Sequence, residues 1–346
     1  MTGLSVLDTV QPNQSKRARL ARAMQSLGIT RLMEFAGSKP GILIINYHRI
    51  GDPLRSRFNR GVFSATVEQF DRQVAYLKRR FPIVAGEELE ALGVSDKPLK
   101  RMYVAVTFDD GYLDNYTHAF DVLRHHGCSA TFFLVPTYVG TNTVPWWDTI
   151  AYLVRNSPHS SLTLGIPSPL TVPLEGDRQR AIFAVLHHYK RVDNTHQDEF
   201  LRHLKTVAGC EIPAVDRRFL DWEEANEMQA AGMAIGSHTF THRILSQLSE
   251  EEQQQELKRS RSILEQKMRR PVLTLAYPVG STTAFTQSTE RISSAAGYKL
   301  CFSFYGGINT PINFRPTNLL RNRFEPDELL FRNQIAWMTS FGRLPY

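Results

Sequence analysis

The chain has 346 residues, 42% hydrophobic and 22% charged, with a formal net charge of +7. This is ordinary globular composition with apolar material for a large core, which excludes a disordered or fibrous chain. The basic residues are scattered and no RNP, zinc-finger or basic-zipper pattern occurs, so nucleic acid is not an expected partner. Cys128, Cys210 and Cys301 are far apart and form no CxxC pair, which excludes a disulfide framework and a thiolate zinc site.

Residues 1–39 are polar and basic. They hold no apolar core with a small-residue cleavage site, and no run approaches ~18 apolar residues, so neither a secretory signal nor a membrane-spanning helix is expected. The expected location is the cytoplasm or the inner face of a membrane. Lys16 to Phe35 reads as one basic helix with Leu20, Met24, Leu27, Leu32 and Phe35 as its apolar positions. That pattern suits packing on the domain, or peripheral contact with an anionic membrane.

Residues 40–346 read as one domain. Gly41 to Asn46 is a short β-branched run that predicts a buried strand, ending in Tyr47-His48-Arg49. Val67 to Arg80 has helical spacing. Tyr103 to Phe108 predicts a second strand, running into Asp109-Asp110-Gly111; a helix follows to His126, with Gly127 as its stop. Ala130 to Val135 is a third strand. The segment from about 140 to 219 breaks the alternation and reads as an insertion, carrying Trp146-Trp147 and a helix near Arg178 to Lys190. Beyond it come a helix at Trp222 to Ala231, a strand at Met233 to Gly236 and a long helix capped by Ser249 and Glu252. Strands follow at Val272 to Tyr277, Lys299 to Phe304 and Leu319 to Phe324, with helices at Ser288 to Ala296 and Asp327 to Met338. Alternating strands and helices predict a parallel sheet covered by helices, with polar clusters at the strand ends where such barrels hold their catalytic face.

Two clusters carry chemistry. Asp109 and Asp110 side by side in a half-buried site would repel; a cation relieves that cost and leaves one carboxylate as a base. The pair would equally suit a solvated strand-ending turn. His238 and His242 stand four apart, which on a helical turn puts both imidazoles on one face. They would also suit a Thr-rich helix cap. One Asp and two His make a three-ligand set with an open position, as in catalytic zinc sites, and also in non-haem iron enzymes. The spare Asp favours hydrolysis.

Thr107-Phe108-Asp109-Asp110-Gly111, His238-Thr239-Phe240-Thr241-His242 and Leu275-Ala276-Tyr277-Pro278-Val279-Gly280 resemble the first three motifs of the polysaccharide deacetylases, the NodB-like carbohydrate esterases. A Tyr-His element ahead of the Asp-Asp motif resembles the exopolysaccharide branch. The resemblance implies a distorted (β/α) barrel of about seven parallel strands. It implies Asp109 as general base, and Asp110, His238 and His242 as ligands of one divalent metal: zinc first, with Co²⁺, Ni²⁺ or Fe²⁺ as alternatives. The Val279 N–H would serve the oxyanion hole, and Tyr277 and Trp147 would wall a sugar pocket. The substrate would be an acetylated amino sugar in a polysaccharide or glycan precursor. The sequence departs from the family twice. Ala276 stands where many members carry an Arg that orients the base, a charge that Arg321 or Arg323 would then supply. The late histidine of the general acid is missing, and His48 would take its part. Rival readings are a hydrolase of another C–N bond (formamido, ureido or imide), and a degenerate barrel that binds glycan without catalysis.

Overall fold

The computed structural model describes residues 16–94 and 99–344. Seven short strands form one all-parallel sheet: β1 (Gly41–Tyr47), β2 (Met102–Phe108), β3 (Thr131–Leu134), β4 (Ala234–Ser237), β5 (Thr274–Ala276), β6 (Leu300–Phe302) and β7 (Arg321–Asn322). Their spatial order is β6-β5-β4-β3-β2-β1-β7. The edges meet through an irregular stretch just before β7: Ser303 N–H donates to Leu319 O at 2.9 Å and Leu319 N–H to Cys301 O at 2.8 Å. The sheet is thus nearly closed into a barrel, the expected distorted (β/α) architecture.

Each strand of a parallel sheet is covered on both faces, and all seven residues of β1 are buried. The two-residue side-chain period sorts them. Leu43, Ile45, Val104, Val106 and Phe108 join the outer core under the helices. Ile42, Ile44, Ala105, Phe133, Ala276 and Phe302 fill the barrel interior. The same inward face continues upward to Asn46, Thr107 and Asp109, so these polar side chains form the layer at the mouth.

Twelve helices surround the sheet among the described residues. The predicted Lys16–Phe35 helix is two helices, α1 (Lys16–Ser26) and α2 (Ile29–Ala36), broken by Gly28 at φ +70°. Residues 1–15 of the basic extension lie outside the described residues. Both helices pack on the last helix, α12 (Glu328–Phe341); Thr30 donates to Asn333 Oδ1 at 2.7 Å. Between β1 and β2 lie α3 (Val67–Arg80), closed by a Thr66–Gln69 capping box, and α4 (Gly86–Val94). After β2, a π-helical turn (Asn115–Phe120) runs into α5 (Asp121–His126), which stops at left-handed Gly127.

The insertion holds α6 (Trp146–Asn156), a hairpin of Ser161–Leu164 and Leu170–Pro173, α7 (Arg178–Tyr189) and α8 (Gln197–Ala208). It has its own core around Ile150, Val154, Ile182 and Phe200. Then come α9 (Trp222–Ala230), α10 (Glu250–Met268), capped as predicted by Ser249 and Glu252, and α11 (Gln287–Ala295). Left-handed Arg269 ends α10 before Pro271 is reached.

Candidate active site

The mouth of the barrel gathers residues from five strand ends. Asp109 and Asp110 leave β2, and Asp110 adopts φ +75°. Gly111 follows at φ +72°, where a Cβ would meet Leu134 Cδ2 at 2.8 Å. Only glycine allows the chain to turn this sharply against β3. The turn aims the two adjacent carboxylates differently.

Asp110 faces His238 and His242. The His242 Nε2 stands 3.3 Å and the His238 Nε2 3.6 Å from Asp110 Oδ1. The three ligand atoms lie within 4.8 Å of one another, and all three residues are buried. Asp110 Oδ1 is buried with no hydrogen-bond partner. Such an orphan is costly unless a cation satisfies it. His238 Nδ1 meets the Ala276 carbonyl at 2.8 Å. A carbonyl only accepts, so Nδ1 carries the proton and Nε2 keeps its lone pair. Burial pushes the His238 pKa down to about 4, so the ring is neutral at pH 7, as a ligand must be. This donor set fits one divalent metal.

The two histidines do not lie on a helical turn. Residues 238–244 form an irregular loop, with Thr239 at φ +65° and His242 at φ +61°. The loop is held from behind by Glu256 of α10, which accepts from the N–H groups of Phe240 and Thr241 at 3.0 and 2.9 Å and from Thr241 Oγ1 at 2.6 Å.

Asp109 faces the other way. Arg321 Nη1 donates to its Oδ1 at 2.6 Å and Asn46 Nδ2 to its Oδ2 at 2.9 Å. Burial alone would raise its pKa. The Arg321 guanidinium outweighs burial and, with His238 and His48, holds it well below the usual carboxylate range. His48, at the end of β1, brings Nε2 to 3.9 Å from Asp109 Oδ2 with its side chain 22% exposed. Burial lowers the His48 pKa, and the two aspartates oppose that shift.

Val279 completes the ring of groups. It sits at φ +62°, a strained conformation for a β-branched residue. Its N–H has no acceptor among the described residues. Among the described residues, five non-glycine residues have positive φ, and four of them are Asp110, Thr239, His242 and Val279. Strain of roughly 1–3 kcal/mol each gathers where function requires a fixed geometry.

Of the two arginines expected to supply the charge missing at Ala276, Arg321 meets Asp109, fully buried inside the barrel rather than lining a substrate pocket. Two expectations need correction. Tyr277 is 1% exposed, stacks on Phe285 at 4.4 Å and donates to Thr317 O; it belongs to the core. Trp147 is also buried. Its ring lies 4.5 Å from that of His242, and its Nε1 donates to Tyr112 OH at 2.8 Å, so it backs His242 rather than walling a sugar site. Arg323 donates to the carbonyls of Gly61 and Phe63, not to Asp109. The sequence reading missed Asn46, Glu256 and Asp148. Asp148 is wholly buried, pairs with Arg218 and accepts from Asn59 N–H at 2.9 Å.

A nearly closed α/β barrel with this mouth belongs to the class of α/β barrels that carry their functional site at the strand ends. A polysaccharide deacetylase family profile matches residues 96–301. The chain belongs to the polysaccharide deacetylase family. A curated relative is YxkH of Bacillus subtilis strain 168, whose name marks its deacetylase assignment as provisional. It is 22% identical over 266 residues, 76% of this chain and 64% of its own length, so the chain spans under two thirds of that relative. Among solved structures, IcaB of Ammonifex degensii aligns with TM-score 0.56 and 21% identity over 86% of this chain and 98% of its own. The Streptococcus pyogenes deacetylase PplD, solved with acetate, aligns with TM-score 0.52 and 20% identity over 84% and 95%. These likenesses carry the fold.

Proposed function

We propose that the chain hydrolyses the N-acetyl group of an amino sugar in a polysaccharide or glycan precursor. One divalent metal, zinc first, would be held by Asp110, His238 and His242; when bound it would polarise the acyl oxygen and make water more acidic. The observation that carries the reading is Asp109. It is a buried carboxylate kept ionised by Arg321, beside the orphaned Asp110 Oδ1 and facing a partly exposed histidine. Asp109 accepts the proton of the attacking water. The free Val279 N–H donates to the oxyanion as it forms. His48 gives a proton to the leaving nitrogen, so that acetate and a free amine depart. Arg321 and Asn46 hold Asp109 in line throughout.

The test is acetate release from N-acetylglucosamine oligomers alongside metal content. Asp109→Asn and His48→Ala should each lose at least 10²-fold in rate while retaining about one equivalent of metal. Full activity in either removes that residue from the scheme. A wild-type protein that ignores acetamides but turns over formamido or ureido sugars would favour the rival C–N hydrolase.

A peripheral membrane contact accompanies this reading. Leu27, between α1 and α2, and Leu32 and Phe35 of α2 are 74%, 67% and 90% exposed, whereas Ala21, Met24 and Thr30 are buried. Exposed Arg19, Arg31 and Lys39 flank them. Apolar side chains rimmed by cations suit an anionic lipid surface. No described helix is long and apolar enough to cross a membrane. Co-sedimentation with phosphatidylglycerol vesicles should be lost in Leu32→Ser/Phe35→Ser; equal recovery with and without vesicles would end the idea.

A further inference from the structure

At the C-terminal end of α6 lies a cleft of about 410 Å³ lined by Arg55, Arg57, Arg60 and Arg155, with Tyr152 and Asn156. Its placement follows from α6. Trp147, near the start of that helix, backs His242, and Arg155 lies eight residues on, about 12 Å along the axis. The loop after β1 forms the other wall, joined to α6 by the Asn59 N–H to Asp148 contact. Arg323, beyond β7, holds the same loop by its Gly61 and Phe63 carbonyls. The cleft and the catalytic groups thus share two supports.

The charges in the cleft are not balanced. Arg55 has Asp52 at 3.6 Å, with both exposed. Among the described residues, no carboxylate comes within ion-pair distance of Arg57, Arg60 or Arg155. Arg155 spends Nη1 on the carbonyls of Arg57 and Phe58 at 2.9 and 2.7 Å, while its Nη2 is buried with no partner. Burial, and then the neighbouring Arg60, lower its pKa, and Asp148 opposes them. Four like charges around one cleft, with Asp52 the one carboxylate within ion-pair distance among the described residues, repel one another, and a multiply charged anion offsets that cost. The C-terminal dipole of α6 opposes an anion here, but it is a fraction of one charge against four guanidinium groups. With Arg55 paired to Asp52, a lone carboxylate would neutralise one of the three remaining cations. A phosphate or pyrophosphate has charge and acceptors for all of them, and planar guanidinium groups bind it bidentately.

We propose that this arginine cleft is a subsite for a phosphate or pyrophosphate group carried by the substrate whose acetamide enters the catalytic centre. The inference rests on the deacetylase reading for its substrate and narrows that substrate to a phosphate-linked amino sugar. A nucleotide-linked and a lipid-linked sugar present the same group to the cleft.

The experiment is calorimetric titration of inorganic pyrophosphate into the full chain. Binding of about one equivalent is expected. It should persist in His238→Ala/His242→Ala, which dismantles the metal position, and weaken at least tenfold in Arg57→Ala/Arg60→Ala. Arg60 also holds the carbonyls of Leu54 and Ser56, so Arg57→Ala alone, whose side chain carries no such bond, is the control against loop collapse. No binding by wild type, or binding unchanged in both arginine variants, overturns the proposal. So does binding that vanishes with the histidines. Uridine diphosphate and farnesyl diphosphate compete in separate arms: displacement by either supports the subsite and names the carrier, and displacement by neither overturns it. Acetate release from a neutral oligomer is read on the same preparation. Release without pyrophosphate binding sinks the subsite alone. Pyrophosphate binding without release from neutral or pyrophosphate-linked sugar sinks the deacetylase reading and removes the substrate from this proposal.

Discussion

At the scale of single residues, the site turns on how a buried carboxylate is kept charged. Arg321 bonds to Asp109, to Asn46 Oδ1 and to Ser303 O, and all of these are buried. Removing one member of a buried pair leaves the other uncompensated, at a cost of about 3–5 kcal/mol. Arg321→Ala should therefore lower the urea midpoint strongly and reduce kcat by about 10², since a small displacement of the base is enough to misalign it. Arg321→Met/Asp109→Asn should regain much of the stability and none of the activity. Wild-type kcat in Arg321→Ala at unchanged metal content would show that the tether has no part in positioning the base. The need for such a charge was legible once Ala276 stood in the motif position. The choice between Arg321 and Arg323 was not, because residues two apart on a strand share a face. Depth decides it: Arg321 lies inside the barrel, whereas Arg323 is exposed beyond the strand end.

At the scale of elements, the strands were the most legible part of the chain. Buried runs bounded by polar turns mark all seven, and the inward period carries Asn46, Thr107 and Asp109 into the mouth layer. The loop bearing His238 and His242 was legible in its composition and not in its form. Spacing of four suggested a helical turn, but left-handed Thr239 and His242 fold the loop irregularly. What stabilises that loop is distant in sequence: Glu256 satisfies two of its N–H groups and a hydroxyl from the middle of α10. Groups that orient ligands typically change metal affinity 10–100-fold when lost. Glu256→Ala should weaken zinc binding by that factor in a chelator competition, with Glu256→Gln intermediate because it retains an acceptor. Unchanged affinity would mean the loop holds its shape without α10.

At the scale of the whole molecule, the insertion has two attachments. One face of α6 packs into the separate core with Phe200, Ile182 and Val172. The other gives Trp147 to a cluster with Tyr112, Tyr138 and Phe219 beneath His242. Asp148 adds polar ties, accepting from Asn59, Tyr112 and Arg218. Composition marked this segment as foreign to the barrel but could not tell an appendage from a support, since the contacts that decide it join residues far apart in the chain. If the insertion supports the site, loosening its own core must reach the metal. Phe200 is fully buried there, and Phe200→Ala should cost about 3–5 kcal/mol. We expect the subdomain of that variant to melt at lower temperature, with zinc released in the same transition, because α6 cannot lose its packing and still hold Trp147 against His242. Thermal melting followed by far-ultraviolet circular dichroism and a zinc indicator reads both events. Two separated transitions, with zinc retained through the first, would make the insertion an independent unit and leave His242 held by Glu256 and the barrel alone.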